Sequence, residues 1–164
     1  MAQTAAFVDA SPLIGLARVG GLAWLPKLYG GAYLTRAVRD QVLTGRGLPG
    51  ESEIRSALRR KHLRLFLKRP VQPEFPGLDE GEASILRAAV AHGAGAIAVI
   101  DDLAAREAAR ALNLAFTGTA GVILGARRSG LIAAARPVFD KLARTDFRLA
   151  ALIVEQVLAE LGER

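Results

Sequence analysis

Cysteine is absent from the chain, which removes a disulfide framework, a thiolate zinc site and a cysteine nucleophile together. A reducing cytoplasm is the expected compartment. Histidine is nearly absent: His62 lies in a basic run and His92 beside Gly93 at an expected helix end, where an imidazole suits the helix dipole. Neither has the setting of a metal ligand or a base. Aromatic residues make up 5% of the chain, too few for a row of base-stacking platforms, so Trp24, Tyr29 and Tyr33 are assigned to core or interface. Apolar runs are short, and none approaches the roughly 20 residues that span a bilayer. The first of them ends on Asp9 and has no basic lead-in, so neither secretion nor a membrane partner is expected. Two phosphate-binding signatures are missing as well. "AIAVIDD" resembles a Walker B strand, but no G-x-x-x-x-G-K-[ST] accompanies it, and no G-x-G-x-x-G follows the first apolar run. Asp9 as a phosphate-accepting nucleophile lacks the second aspartate two positions on, where Ser11 stands.

Positive charge is what the chain has in excess. Its 164 residues carry a net +6, with a pI near 10.5. Between Glu51 and Pro70, seven basic residues face two acids, and this stretch alone carries +5. A solvated helix face accounts for such a cluster without any partner. A polyanionic partner accounts for it too, and in that case Arg55, Arg59, Arg60 and Lys61 are the residues expected to meet RNA.

With 51% hydrophobic residues, the length suits one domain over 1–164 with a real core. Apolar runs alternate with segments of helical period, the order of βα units around a mainly parallel sheet. Strands are expected at Ala5 to Val8, Ala32 to Leu34, Leu63 to Leu67, in "AIAVI" and at Leu114 to Phe116. Helices are expected from Pro12 to Val19 with Ser11 as N-cap, from Leu22 to Tyr29, and after a Thr35 cap to about Leu43. Further ones follow over Ser52 to Lys61, from Asp79 to about His92, Leu103 to Leu112, Thr119 to Arg128, about Ala134 to Leu142 and Leu149 to Leu161. In the last, Leu149, Leu152, Ile153, Val157 and Leu161 recur at helical spacing, which predicts one buried face against the core or a second subunit.

Acids sit where the strands end. Asp9 closes the first strand, and Asp101 with Asp102 closes "AIAVI". In open parallel sheets ligands bind in the crevice beyond those ends. "LDEGEA" adds Asp79, Glu80 and Glu82; the helix dipole accounts for Asp79 and Glu80, whereas Glu82 is either part of the same cap or part of a site. Carboxylates held close together repel unless a cation or a proton intervenes, and a hard ion such as Mg²⁺ or Mn²⁺ takes oxygen ligands. Beside a basic surface, the fitting substrate is a phosphodiester.

The segments "FVDASPLIGLARVGGLAWLPKLYG", "LDEGEASILRAAVAHGA", "AVIDDLAAREAARALNLAFTGTAGVILGARRSGLI" and "FRLAALIVEQVL" occur in that order. Together they resemble a PIN-domain protein of the VapC-like toxin type, within a subgroup catalogued as a domain of unknown function. The resemblance implies an α/β/α sandwich with a short, mainly parallel central sheet and an acidic pocket for Mg²⁺ or Mn²⁺. It also implies endonucleolytic cleavage of single-stranded RNA, a small cognate antitoxin and a homodimer. Carried over by position, Asp9, Glu82 and one of Asp101 and Asp102 are the metal-binding and catalytic acids, with Ser11, Thr117 and Thr119 lining the pocket. Which of the two aspartates faces inward stays open, because adjacent residues at a strand end point opposite ways.

One position departs from the pattern. Where such proteins usually carry a glutamate, "AVRDQV" places Gln41, with Asp40 one residue earlier. Gln41 coordinates or hydrogen-bonds but brings no charge. Either Asp40 supplies the missing acid, or the pocket is catalytically poor and the protein is a regulatory module that binds RNA or protein without cutting.

Overall fold

The computed structural model describes residues 4–163. Five strands, β1 (Ala5–Val8), β2 (Gly31–Leu34), β3 (Arg64–Leu65), β4 (Ala96–Val99) and β5 (Ala115–Thr117), form one sheet in the order β3-β2-β1-β4-β5. Every pairing is parallel. Between and after the strands run α1 (Ala10–Arg18), α2 (Trp24–Tyr29), α3 (Arg36–Val42), α4 (Glu51–Arg59), α5 (Glu80–His92), α6 (Leu103–Ala111), α7 (Thr119–Arg128), α8 (Arg136–Ala143) and α9 (Ala151–Glu160). The fold is the expected α/β sandwich, with a wholly parallel sheet.

The strand order reverses at β1. From it the chain moves outward through β2 to β3, then returns across the sheet to β4 and β5. Right-handed crossovers therefore send the two runs of helices to opposite faces. On one side α5 packs on β1 and β4 and against α6; on the other α1, α2 and α7 pack together. Strands covered on both faces read as continuous apolar runs, and β1 is buried along its whole length. Its Phe7 stacks on Tyr33 with ring centroids 5.5 Å apart and meets Phe66 edge-on at 5.3 Å. With Trp24 also buried, the few aromatics serve packing.

Two expectations are corrected, the start of α1 and the length of β3. Helix α1 begins at Ala10, not at Pro12, so Asp9 is its N-cap residue while Ser11 lies within the first turn. The backbone of Asp9 is extended, and its side chain makes no capping bond, which leaves the carboxylate available beyond the strand end. Strand β3 is two residues long because pairing with β2 ends where β2 itself stops at Leu34. Helix α9 buries Val157 and Leu158, while Leu152 is 63% and Ile153 39% exposed. It packs against α7.

Candidate metal centre

The reversal of strand order opens a crevice between the carboxyl ends of β1 and β4, where open α/β sheets place their ligands. Asp9 stands on one side of it. Its backbone N–H donates to the Val99 carbonyl at 3.0 Å, which locks the end of β1 to β4. The residue is 6% exposed, and burial pushes its carboxyl up to about 6. A hydrogen bond from the Ala10 backbone works the other way, and the charges of Asp79, Glu82 and Asp101 add to the rise. The crevice thus gathers like charges around a poorly hydrated carboxylate, which favours a proton or a cation there.

Asp101 is held from the far side. Thr119, fully buried at the start of α7, donates its backbone N–H to Oδ1 at 2.8 Å and its hydroxyl to Oδ2 at 2.7 Å. The Ser11 hydroxyl donates to Oδ2 at 3.4 Å. Asp102 turns outward and caps α6, accepting the Ala105 N–H at 2.9 Å. The pair therefore divides the two roles that the sequence left open: Asp101 faces the crevice and Asp102 starts a helix. The charge of Asp102 still acts on Glu82, whose carboxyl is raised chiefly by burial, with Asp79 and Asp102 adding to it.

Glu82 and Asp79 form a capping box at the start of α5. The Glu82 N–H donates to Asp79 at 2.7 Å, and the Asp79 N–H donates back to Glu82 at 3.1 Å. Both carboxylates sit at the crevice. Asp79 is the residue that sequence reasoning set aside, because an acid before a helix is explained by capping alone; here its charge acts on Asp9 more strongly than that of Glu82 or Asp101. The helix-start pattern gave no signal to separate the two roles.

Asp40 and Gln41 do not join this group. Asp40 is exposed and pairs with Arg39 at 3.2 Å, and it is not among the charges that shift Asp9. The Gln41 carboxamide lies against Gly81 in the first turn of α5, so closely that a methyl group added at Gly81 would come within 2.9 Å of its Cδ and Nε2. Thr117 turns its hydroxyl to Gly121 on α7. The basic residues expected to meet RNA are also elsewhere. Helix α1 leaves the crevice at Ala10 and carries the chain to the opposite end of the sheet, where Arg60 shares a hollow with Gly20, Leu22 and Ala23. Arg59 and Lys61 flank Arg60 in the chain, and Arg55 pairs with Glu51 at 3.7 Å.

Two further residues shape the crevice without any obvious mark in the sequence. Arg106, one turn into α6, donates its Nε to the Ile100 carbonyl at 2.9 Å, lies over the Phe116 ring and brings Nη2 to 3.9 Å from Asp101. Gly118 makes room for it: a methyl there would overlap the Arg106 guanidinium and stand 2.6 Å from Asp101 Oδ1. The Gly118 backbone is extended, so space rather than conformation demands glycine. Gly118→Ala is expected to keep the fold and to weaken divalent-ion binding about tenfold or more by displacing Asp101. Calorimetric titration with Mn²⁺, beside a thermal melt, checks both parts.

A family model described as a PIN domain matches residues 5–163. The chain belongs to the PIN-domain family. Its fold is accordingly of a nuclease type, and PIN domains are generally nucleases that typically use a divalent metal. Comparison with curated proteins finds no match. Among the described residues of this PIN domain, no helix is long and apolar enough to cross a membrane. Nor do any three acids or histidines among them already close on one point as a metal cage. The donor chemistry nonetheless fits a hard divalent ion: the crevice offers oxygen donors, chiefly carboxylates whose charges repel, and the most buried of them resists ionising. Glu82 is fixed by its capping box and Asp101 by Thr119, and each carboxylate keeps lone pairs for a metal beside those hydrogen bonds.

Proposed function

We propose that this PIN domain is a Mg²⁺- or Mn²⁺-dependent endoribonuclease acting on single-stranded RNA. The observation that carries the reading is the buried Asp9 at the switch point, its carboxyl raised by burial and by three converging acids. Asp9 and Asp101, with Glu82 and Asp79, would hold the ion. When bound, it supplies Lewis acidity, making water a better nucleophile and offsetting charge on the phosphate oxygens. Thr119 and Ser11 orient Asp101 through the hydrogen bonds that fix both of its oxygens. Arg106 sets a positive charge on the outer side of the same carboxylate. The resemblance to VapC-like toxins extends the proposal to a toxin role in the cytoplasm, as a homodimer held in check by a small antitoxin.

The test is cleavage of a mixed single-stranded RNA pool with Mg²⁺ or Mn²⁺, against EDTA, by the native protein and by Asp9→Asn. Metal-dependent cutting that falls about 10³-fold in the variant supports the nuclease. RNA bound but left whole under every metal condition supports the second reading, a binding module without cleavage. That reading is favoured by one observation, the uncharged Gln41 packed on Gly81 where such proteins usually carry an acid.

A further inference from the structure

Beside the acidic crevice, on the β2 and β3 side, lies a groove of about 660 Å³ that the proposed chemistry does not use. Thr35, which follows β2 and caps α3, marks the boundary, with its hydroxyl 2.6 Å from that of Ser84 on α5. Four basic residues line the groove from three separate segments: Arg36 in the first turn of α3, Lys68 and Arg69 after β3, and Arg87 on α5. Three acids also line it. Two of these are already engaged, Asp40 with Arg39 at 3.2 Å and Glu80 with Arg87 at 2.9 Å. Arg87 also donates to the Pro73 carbonyl. What remains is Arg36, Lys68 and Arg69 against Glu74. None of those three cations has an ion pair among the described residues, and Arg36 Nε is buried without an acceptor.

A buried donor left unsatisfied is costly, and three cations drawn together from distant parts of the chain repel. An anion with several oxygens relieves both, and phosphate is the group that arginine and lysine grip best. Pro70 and Val71, the latter 73% exposed, add apolar surface beside these cations on which a base can lie. The groove is of pocket size, suited to a short unpaired strand rather than a duplex. We infer that it is the track by which single-stranded RNA reaches the carboxylates, its phosphates held by Arg36, Lys68 and Arg69. The inference rests on the nuclease reading for its substrate class. It moves RNA contact from α4, at the far end of α1, to a surface whose Glu80 and Ser84 flank Glu82 in the first turns of α5. An acidic peptide would answer the same three cations, and competition between peptide and RNA tells the two apart.

The test uses the full chain carrying Asp9→Asn, so that RNA is bound without being cut. Affinity for a fluorescein-labelled single-stranded RNA 12-mer is read by anisotropy across a salt series. Adding Lys68→Ala and Arg69→Ala is expected to weaken binding roughly tenfold or more and to flatten the slope of log K against log salt by about 1.4 for two lost phosphate contacts. Both side chains are exposed, so thermal melts should stay unchanged. Arg59→Ala with Arg60→Ala should bind within about twofold of the parent. Loss carried by Arg59 and Arg60, with Lys68 and Arg69 indifferent, overturns the groove and leaves the nuclease reading standing. Failure of every form to bind RNA overturns both. A glutamate-rich peptide that binds through Lys68 and Arg69 and outcompetes RNA overturns the inference in favour of a protein partner.

Discussion

Asp9→Asn is expected to make the metal-free protein more stable at pH 8, by roughly 5–10 °C in melting temperature. Linkage gives the sign. The carboxyl ionises near 3.8 in an unfolded chain and at about 6 in the folded one. Below 3.8 both states hold the proton and there is no difference. Between 3.8 and 6 the folded state keeps a proton that the unfolded state releases, so stability falls as pH rises. Above 6 the full penalty, about 3 kcal/mol for that rise, is present. Asparagine removes the charge and with it the penalty. Glu82 is shifted in the same direction and adds to the slope. Melts of native and variant protein in EDTA should therefore coincide near pH 4 and separate towards pH 8. Adding Mg²⁺ should raise the native melting temperature and leave that of the variant in place. A variant less stable than the native protein at pH 8 would contradict this account of the crevice.

The second large effect separates Asp79 from Asp40. Asp79→Asn should lower cleavage about 10- to 100-fold, the usual penalty for losing a group that supports a metal site. Asparagine caps a helix as well as aspartate does, so the melting temperature should barely move. The substitution thus removes the charge that acts on Asp9 and preserves the cap that starts α5. Asp40→Asn should leave cleavage within about threefold or raise it slightly, because Asp40 lines the basic groove and removing its charge can only favour a polyanion there. Steady-state cleavage of one labelled RNA by the three proteins decides the matter. Loss confined to Asp40→Asn would restore the idea that this residue replaces the missing acid.

Much of this was legible in the residues. Short continuous apolar runs between amphipathic segments predicted a parallel sheet, since only strands covered on both faces can be apolar throughout. The strand-end acids could be picked out because an acid after a buried strand has few structural reasons to be there. The remainder failed for physical reasons. Asp79 was hidden by its second role, because capping alone explains an acid before a helix. Arg59 and Arg60 stand out in the sequence as a dense cluster, and only the fold shows that α1 carries that neighbourhood to the end of the sheet opposite the crevice. The groove brings together Arg36, Lys68 and Arg87, which lie far apart in the chain, and only the assembled fold shows them as neighbours. Gly118 looks like any turn glycine until Arg106 is seen folded over it. Leu152 and Ile153 keep helical spacing with the buried residues of α9, and periodicity cannot report whether the core or a second subunit is to cover them.

The central claim is that the repelling carboxylates around Asp9 await a divalent cation, and Mn²⁺ binding measures it without any assumption about substrate. Isothermal titration with Mn²⁺ at pH 7.5 or so, on native protein and on Asp9→Asn, should give a bound ion in the native protein and a loss of affinity of about 100-fold in the variant. Native protein that takes up no Mn²⁺, or binding that Asp9→Asn leaves untouched, would contradict the claim.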